Sequence, residues 1–241
     1  MGYYPICVEM RDRPVLLVGG GHVALEKIGK LVDAGARVTV VAPELIPEVQ
    51  AFIDTGRARL ERRVYQDGDV NGMDMVMVAT DDGEVNARVA LDARAQDIWV
   101  NAADDVANCD FILPSLAQRG TIAIATSTGG ASPALARWLR ERMEEFLSDD
   151  VVALGELLKE VRVMVRQRDR QCAAGCSLVR TPPPLLCAVC PNRIPAERWQ
   201  AAIDDELRAL LRDGRIDDAR ARIVAALGLD APLLASPGRV G

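Results

Sequence analysis

The stretch at residues 14–42, PVLLVGGGHVALEKIGKLVDAGARVTVVA, constrains the fold more than any other part of the chain. Residues 15–18 are branched apolar side chains, the composition of a strand buried on both faces of a parallel sheet. Gly19, Gly20 and Gly21 follow directly. Val23, Ala24, Ile28, Leu31 and Val32 then recur at helical spacing, Gly35 stands where a helix C-cap belongs, and residues 38–41 form a second apolar strand. In this context of strand, glycine turn, helix and strand, Gly19-x-Gly21-x-x-Ala24 reads as a dinucleotide fingerprint. Gly19 permits the tight turn, Gly21 lets the backbone approach a pyrophosphate, and Ala24 keeps the helix close to the sheet. The amide groups and the positive dipole end of the helix then face the anion.

The acidic residue that holds a ribose should end the second strand, yet Ala42 and Pro43 stand there and Glu44 comes slightly late. Glu44 either takes that part or is solvated. No arginine at this strand end favours a 2′-phosphate, so NAD is preferred over NADP.

At 241 residues the chain has room for a nucleotide domain and a smaller one. Aromatic residues are only 4%, so the core must be mostly aliphatic. A net charge of −6 argues against a general nucleic-acid binder. No apolar run reaches membrane-spanning length and no signal-peptide core precedes the first strand, so a cytoplasmic protein that makes no membrane contact is expected. His22 is the only histidine, which excludes any histidine-based triad.

Further along, residues 3–8 form a candidate edge strand, and Pro47 starts a helix that Gly56 ends. Residues 58–65, 73–79 and 98–100 read as strands, with a helix carrying Val85, Val89 and Ala93 inward. Alternating strands and helices predict a Rossmann-type, doubly wound parallel sheet with its ligand at the carboxyl ends of the strands. Thr80, Asp81, Asn101 and Asp104 all fall at such ends. After residue 110 the pattern changes to a hairpin of strands at 111–116 and 121–126, then a helix with Ser132 as N-cap and Pro133 at its first position. Helices at 150–168, 196–212 and 216–227 complete the chain, with a frayed tail from residue 232. The expected domains are a nucleotide-binding one at 1–113, a small α+β region at 114–148 and a C-terminal helical domain at 149–241.

Several blocks in this order resemble one family. They are Pro5 with Arg11-Asp12-Arg13; Val18 to Ala24 with Lys27; Ala34 to Thr39; Ala79-Thr80-Asp81-Asp82 with Asn86; Asn101 to Asp104; Phe111 to Ser115; and Ser127 to Pro133 with Ala136-Arg137. The chain resembles the precorrin-2 dehydrogenase module of siroheme synthesis, which in some members is also a sirohydrochlorin ferrochelatase. The resemblance implies NAD-dependent oxidation of precorrin-2 to sirohydrochlorin, with iron insertion as a second activity or a non-catalytic NAD sensor as alternatives. It implies Asp104 as the catalytic carboxylate, a role chemically suited to a strand end in a cleft. It carries nucleotide contacts onto Gly19, Gly21, His22, Val23, Pro43, Glu44 and Thr80, and substrate contacts onto Asn101, Ser127 and Arg137. Residues 114–148 match the family's dimerisation region, so a homodimer is expected. A chain without a methyltransferase domain, and so not the trifunctional enzyme, is expected. Thr128 aligns with a serine that is phosphorylated in some relatives. Arg119, Arg137, Arg140 and Arg142 form a candidate basic patch for a tetrapyrrole's carboxylates.

One segment departs from the family. Cys172-x₃-Cys176-x₁₀-Cys187-x₂-Cys190 lies in an apparent insertion at 169–195, with three prolines between the pairs. Four thiols in two close pairs suit structural zinc, an iron–sulfur cluster, or unligated and redox-paired thiols. Cys7 and Cys109 stand apart and read as buried core thiols.

Overall fold

Five parallel strands carry the first half of the chain, in the order β3-β2-β1-β4-β5. The computed structural model describes residues 2–103, 106–174 and 190–233. Strand β1 (Pro14–Val18), helix α1 (His22–Asp33) and strand β2 (Arg37–Val41) occupy the predicted fingerprint. Helix α2 (Pro47–Asp54), β3 (Ala58–Glu61), β4 (Met75–Val78), α3 (Gly83–Arg94) and β5 (Trp99–Ala102) follow. Successive side chains of each strand point to opposite faces. Val15, Leu17, Val38, Val40, Met75 and Met77 therefore pack with Ala24, Ile28 and Val49 under α1 and α2. Leu16, Val18, Val76, Val78, Val100 and Ala102 pack with Val89, Ala90 and Ala93 of α3 on the other face. Helices on both faces of a parallel sheet define the doubly wound Rossmann fold.

The chain divides into two compact units, Met1–Leu113 and Pro114–Gly241. The second begins with an antiparallel hairpin, β6 (Ser115–Arg119) and β7 (Ile122–Thr126), against which α4 (Pro133–Phe146) packs. Ser132 Oγ caps α4 by accepting from Leu135 N at 3.2 Å. Helices α5 (Asp149–Ala174), α6 (Ala196–Ala201), α7 (Asp205–Arg212) and α8 (Ile216–Leu227) complete the unit. Leu154, Leu157 and Val161 of α5 share a core with Leu207, Leu211, Ile223 and Leu227.

Among the described residues, 3–8 pair with no strand and are exposed, with Pro5 removing a ladder donor, and Cys7 is exposed with them and not a core thiol. The hairpin's first strand starts only after Pro114. The expected helix at 196–212 is two helices, because Asp204 caps a new one by accepting from Leu207 N at 2.8 Å. Helix α5 runs past residue 168 and carries Cys172 in its last turn. The tail from 234 onward lies outside the described residues. Among the described residues no helix is long and apolar enough to cross a membrane.

Candidate nucleotide and catalytic site

The chain leaves β1 towards β2 and β3 on one side and β4 and β5 on the other, so the order reverses between β1 and β4. In such sheets the ligand crevice opens at the carboxyl ends at this reversal. Gly19 lies there with φ +117°, and a Cβ on it would stand 2.2 Å from the Ala79 carbonyl oxygen at the end of β4. Gly20 is as confined: a Cβ would sit 2.2 Å from the Glu44 carbonyl oxygen, and Gly20 O accepts from Ile46 N at 2.9 Å.

Gly21 differs. Among the described residues a Cβ on it would meet nothing within 4 Å, so the backbone borders open space there. It is the N-cap of α1, no side chain caps that helix, and no acidic residue occupies its first turn. The first backbone bond of the helix is Leu25 N to Gly21 O at 3.0 Å. This is the cradle that a pyrophosphate requires: clear space, amide donors and a positive dipole end without a competing carboxylate. The residues present therefore fit NAD. His22 and Val23 are exposed in the same turn, and Pro43 and Glu44 are exposed just past β2, the Glu44 backbone lying against Gly20.

Thr80 follows β4. Its hydroxyl donates to Asn86 Oδ1 at 2.7 Å, and the buried Asn86 returns a bond from Nδ2 to Thr80 O at 3.2 Å. Asp82 Oδ1 then caps α3 by accepting from Glu84 N and Val85 N. These bonds fix the turn bordering the crevice.

Asn101, read from the sequence as a substrate contact, is instead 6% exposed and bonded inside the protein at both ends of its amide. Its Oδ1 accepts from Lys27 Nζ at 2.9 Å and its Nδ2 donates to Phe111 O at 2.9 Å. The reason is register: Val100 and Ala102 face α3, so Asn101 must face α1. The Cys109 thiol donates to Ala102 O at 3.0 Å beside it, and is half-buried where it packs against the core on the α3 face. Asp104, the expected catalytic residue, lies outside the described residues.

Lys27 stands in the block that carries the family resemblance, but the sequence reading gave it no role. It is 8% exposed on the α1 face formed by Ala24, Ile28 and Leu31. The available signal was a cation at the apolar spacing of that helix.

Ser127 and Arg137 belong to the second unit. Ser127 is exposed, its hydroxyl accepting from Gly129 N at 3.2 Å. Arg137 is exposed and ion-paired with Glu141 at 3.2 Å. The rest of the expected basic patch is likewise paired, Arg119 with Asp149, Arg140 with Glu144 and Arg142 with Glu145. These guanidiniums are thus neutralised locally, though exposed pairs of this kind are held by only about 0–1 kcal/mol. The Thr128 hydroxyl donates to Ser132 O at 3.1 Å within its loop.

Of the four clustered cysteines, Cys172 and Cys190 are buried and free of disulfides, and Cys176 and Cys187 lie outside the described residues. Burial raises the Cys172 thiol pKa, and the neighbouring Cys190, its hydrogen-bond partner, raises it further. Among the described residues no group of three metal-ligating side chains comes together.

Comparison with known proteins agrees with this fold. A family model described as putative NAD(P)-binding matches residues 6–115, and one described as sirohaem biosynthesis protein central matches residues 119–145. A siroheme synthase of Methylococcus capsulatus is 37% identical over 94% of this chain and 44% of its own length. One of Tolumonas auensis is 44% identical over 70% of this chain and 36% of its own. The chain thus spans less than half the length of these curated relatives. The solved structure of SirC, a precorrin-2 dehydrogenase, superposes with a TM-score of 0.70 at 25% identity, over 92% of this chain and 100% of that one. Both units are thus matched: the chain is similar to siroheme synthases over less than half of their length, and to the precorrin-2 dehydrogenase SirC over the whole of that chain.

Proposed function

We propose that this chain oxidises precorrin-2 to sirohydrochlorin with NAD. The macrocycle loses two electrons and two hydrogens, one leaving as hydride and one as a proton, and the products are sirohydrochlorin, NADH and H⁺. NAD, when bound, supplies the hydride acceptor. The observation that carries the reading is the open, uncapped α1 N-terminus at Gly21, set where the strand order reverses. Gly19, Gly21, His22 and Val23 would hold the pyrophosphate, Pro43 and Glu44 the ribose, and Thr80 would border the nicotinamide side. Asp104, three residues beyond Asn101, is the proposed base for the departing proton. Ser127 and Arg137 are the proposed substrate contacts of the second unit, the ion pair of Arg137 exchanging for a substrate carboxylate.

The test is an anaerobic assay of purified chain with precorrin-2 and NAD, following NADH absorbance. Turnover is expected in the wild type and none in Asp104→Ala, with NAD still bound by the variant. Unchanged turnover in that variant ends the assignment of Asp104, and no turnover in the wild type leaves a nucleotide sensor. Adding ferrous or cobalt ion with sirohydrochlorin decides whether the same site also inserts metal.

A second reading concerns the cysteine insertion. Cys172 and Cys190, the outermost of the four thiols, share one buried site, which suits a metal centre, structural zinc or an iron–sulfur cluster, held by Cys172, Cys176, Cys187 and Cys190. The proposed assembly is a cytoplasmic homodimer through residues 114–148. Helix α4 buries none of its residues fully and exposes Leu135, Trp138 and Phe146, an apolar face suited to a second copy.

A further inference from the structure

We propose that Lys27 is a positioning residue of the dehydrogenase site, acting through Asn101; the inference rests on the activity proposed above. Lys27 sits one turn inside α1 on its buried face, among Ala24, Ile28 and Leu31. Helical side chains lean towards the helix N-terminus, so its long stem carries Nζ back to the carboxyl ends of the strands. There it donates to Asn101 Oδ1 at 2.9 Å.

Asn101 stands in register with Met77 of β4, whose side chain lies in the apolar cluster under α1. Apolar side chains at 27 and 101 would extend that cluster without desolvating an ammonium and an amide. The polar pair is therefore a poor device for stability, and its geometry points to another task. An ammonium only donates, so it fixes which end of the amide faces α1. The other end, Nδ2, is thereby turned to Phe111 O, on the chain that returns after the strand. One cation thus sets the orientation of one amide, and that amide fastens both the segment leading to Asp104 and the segment coming back from it. The same helix would present its first turn to the nucleotide, so Lys27 links the proposed cofactor cradle to the carboxyl end of β5, which leads in sequence to Asp104.

Lys27→Met keeps the stem and removes the donor. In the anaerobic assay it is expected to lower kcat by about tenfold or more while the Kd for NAD stays within about twofold. Lys27→Arg, which retains the cation with a different reach, should fall between it and wild type, and it supplies the reading if Lys27→Met does not fold. The double variant Lys27→Met/Asn101→Leu is expected to be no slower than the slower single variant, because the two residues act as one unit. Three results would overturn the inference: kcat within about twofold of wild type, NAD affinity falling in step with kcat, or losses that multiply in the double variant. A wild-type chain that makes no NADH removes the activity beneath it, an outcome distinct from all three.

Discussion

Gly19 and Gly21 stand two positions apart and answer opposite demands. Gly19 combines a positive φ with a carbonyl oxygen 2.2 Å from any Cβ, so Gly19→Ala must displace the end of β4. A loss on the order of 3 kcal/mol in urea unfolding is expected. Gly21 has an extended backbone, φ −92° and ψ −163°, open to any residue, and its Cβ direction is empty. Gly21→Val should therefore unfold like the wild type yet bind NAD about tenfold or more weakly by titration calorimetry. Equal NAD affinity in that variant would remove the cradle from α1. The two glycines were legible in the sequence because the fingerprint is local. The part played by Lys27 was not, since its partner lies 74 residues away and only the finished sheet brings them together.

At the scale of elements, the first turn of α5 shows how the helical unit is pinned. Asp150 is 4% exposed, accepts from Ser148 Oγ at 2.5 Å and Arg208 Nε at 3.0 Å, and has Arg212 at 3.6 Å. The Ser148 hydroxyl and then the two arginines hold its carboxyl below the usual carboxylate range, against the opposing pull of burial. A carboxyl depressed in the folded state stabilises it above the unfolded value, near about 4, and loses that effect as pH falls through the folded value. Asp150→Asn is thus expected to be less stable by about 2 kcal/mol at neutral pH and to show a flatter loss of stability between about pH 5 and pH 2, followed by urea midpoints. An unchanged acid limb would mean that other carboxylates govern it. The helix itself was legible from its apolar spacing, as was the Ser132 cap of α4. The break at Asp204 was missed because helical periodicity continues across it, and only the cap bond to Leu207 N ends one helix and begins the next.

The whole molecule pairs a unit that the sequence announces with one that it leaves largely open. The alternating strands of Met1–Leu113 carry their own topology, whereas Pro114–Gly241 depends on contacts such as Asp150 with Arg208 that no local pattern encodes. If zinc organises the cysteine insertion, metal analysis of anaerobically purified chain should find about one equivalent, absent from Cys172→Ser/Cys190→Ser, and a chelator should lower the thermal midpoint while NAD binding persists. No zinc or iron in the wild type leaves a pair of thiols. In the nucleotide unit, the backbone of Glu44 and Ile46 is clamped to Gly20 while the Glu44 side chain points free of that clamp into solvent. If Glu44 faces the ribose as proposed, coenzyme anchoring and coenzyme choice would be separable: a different side chain at 44 would tell one dinucleotide from another while the phosphate seat beside it stays as it was.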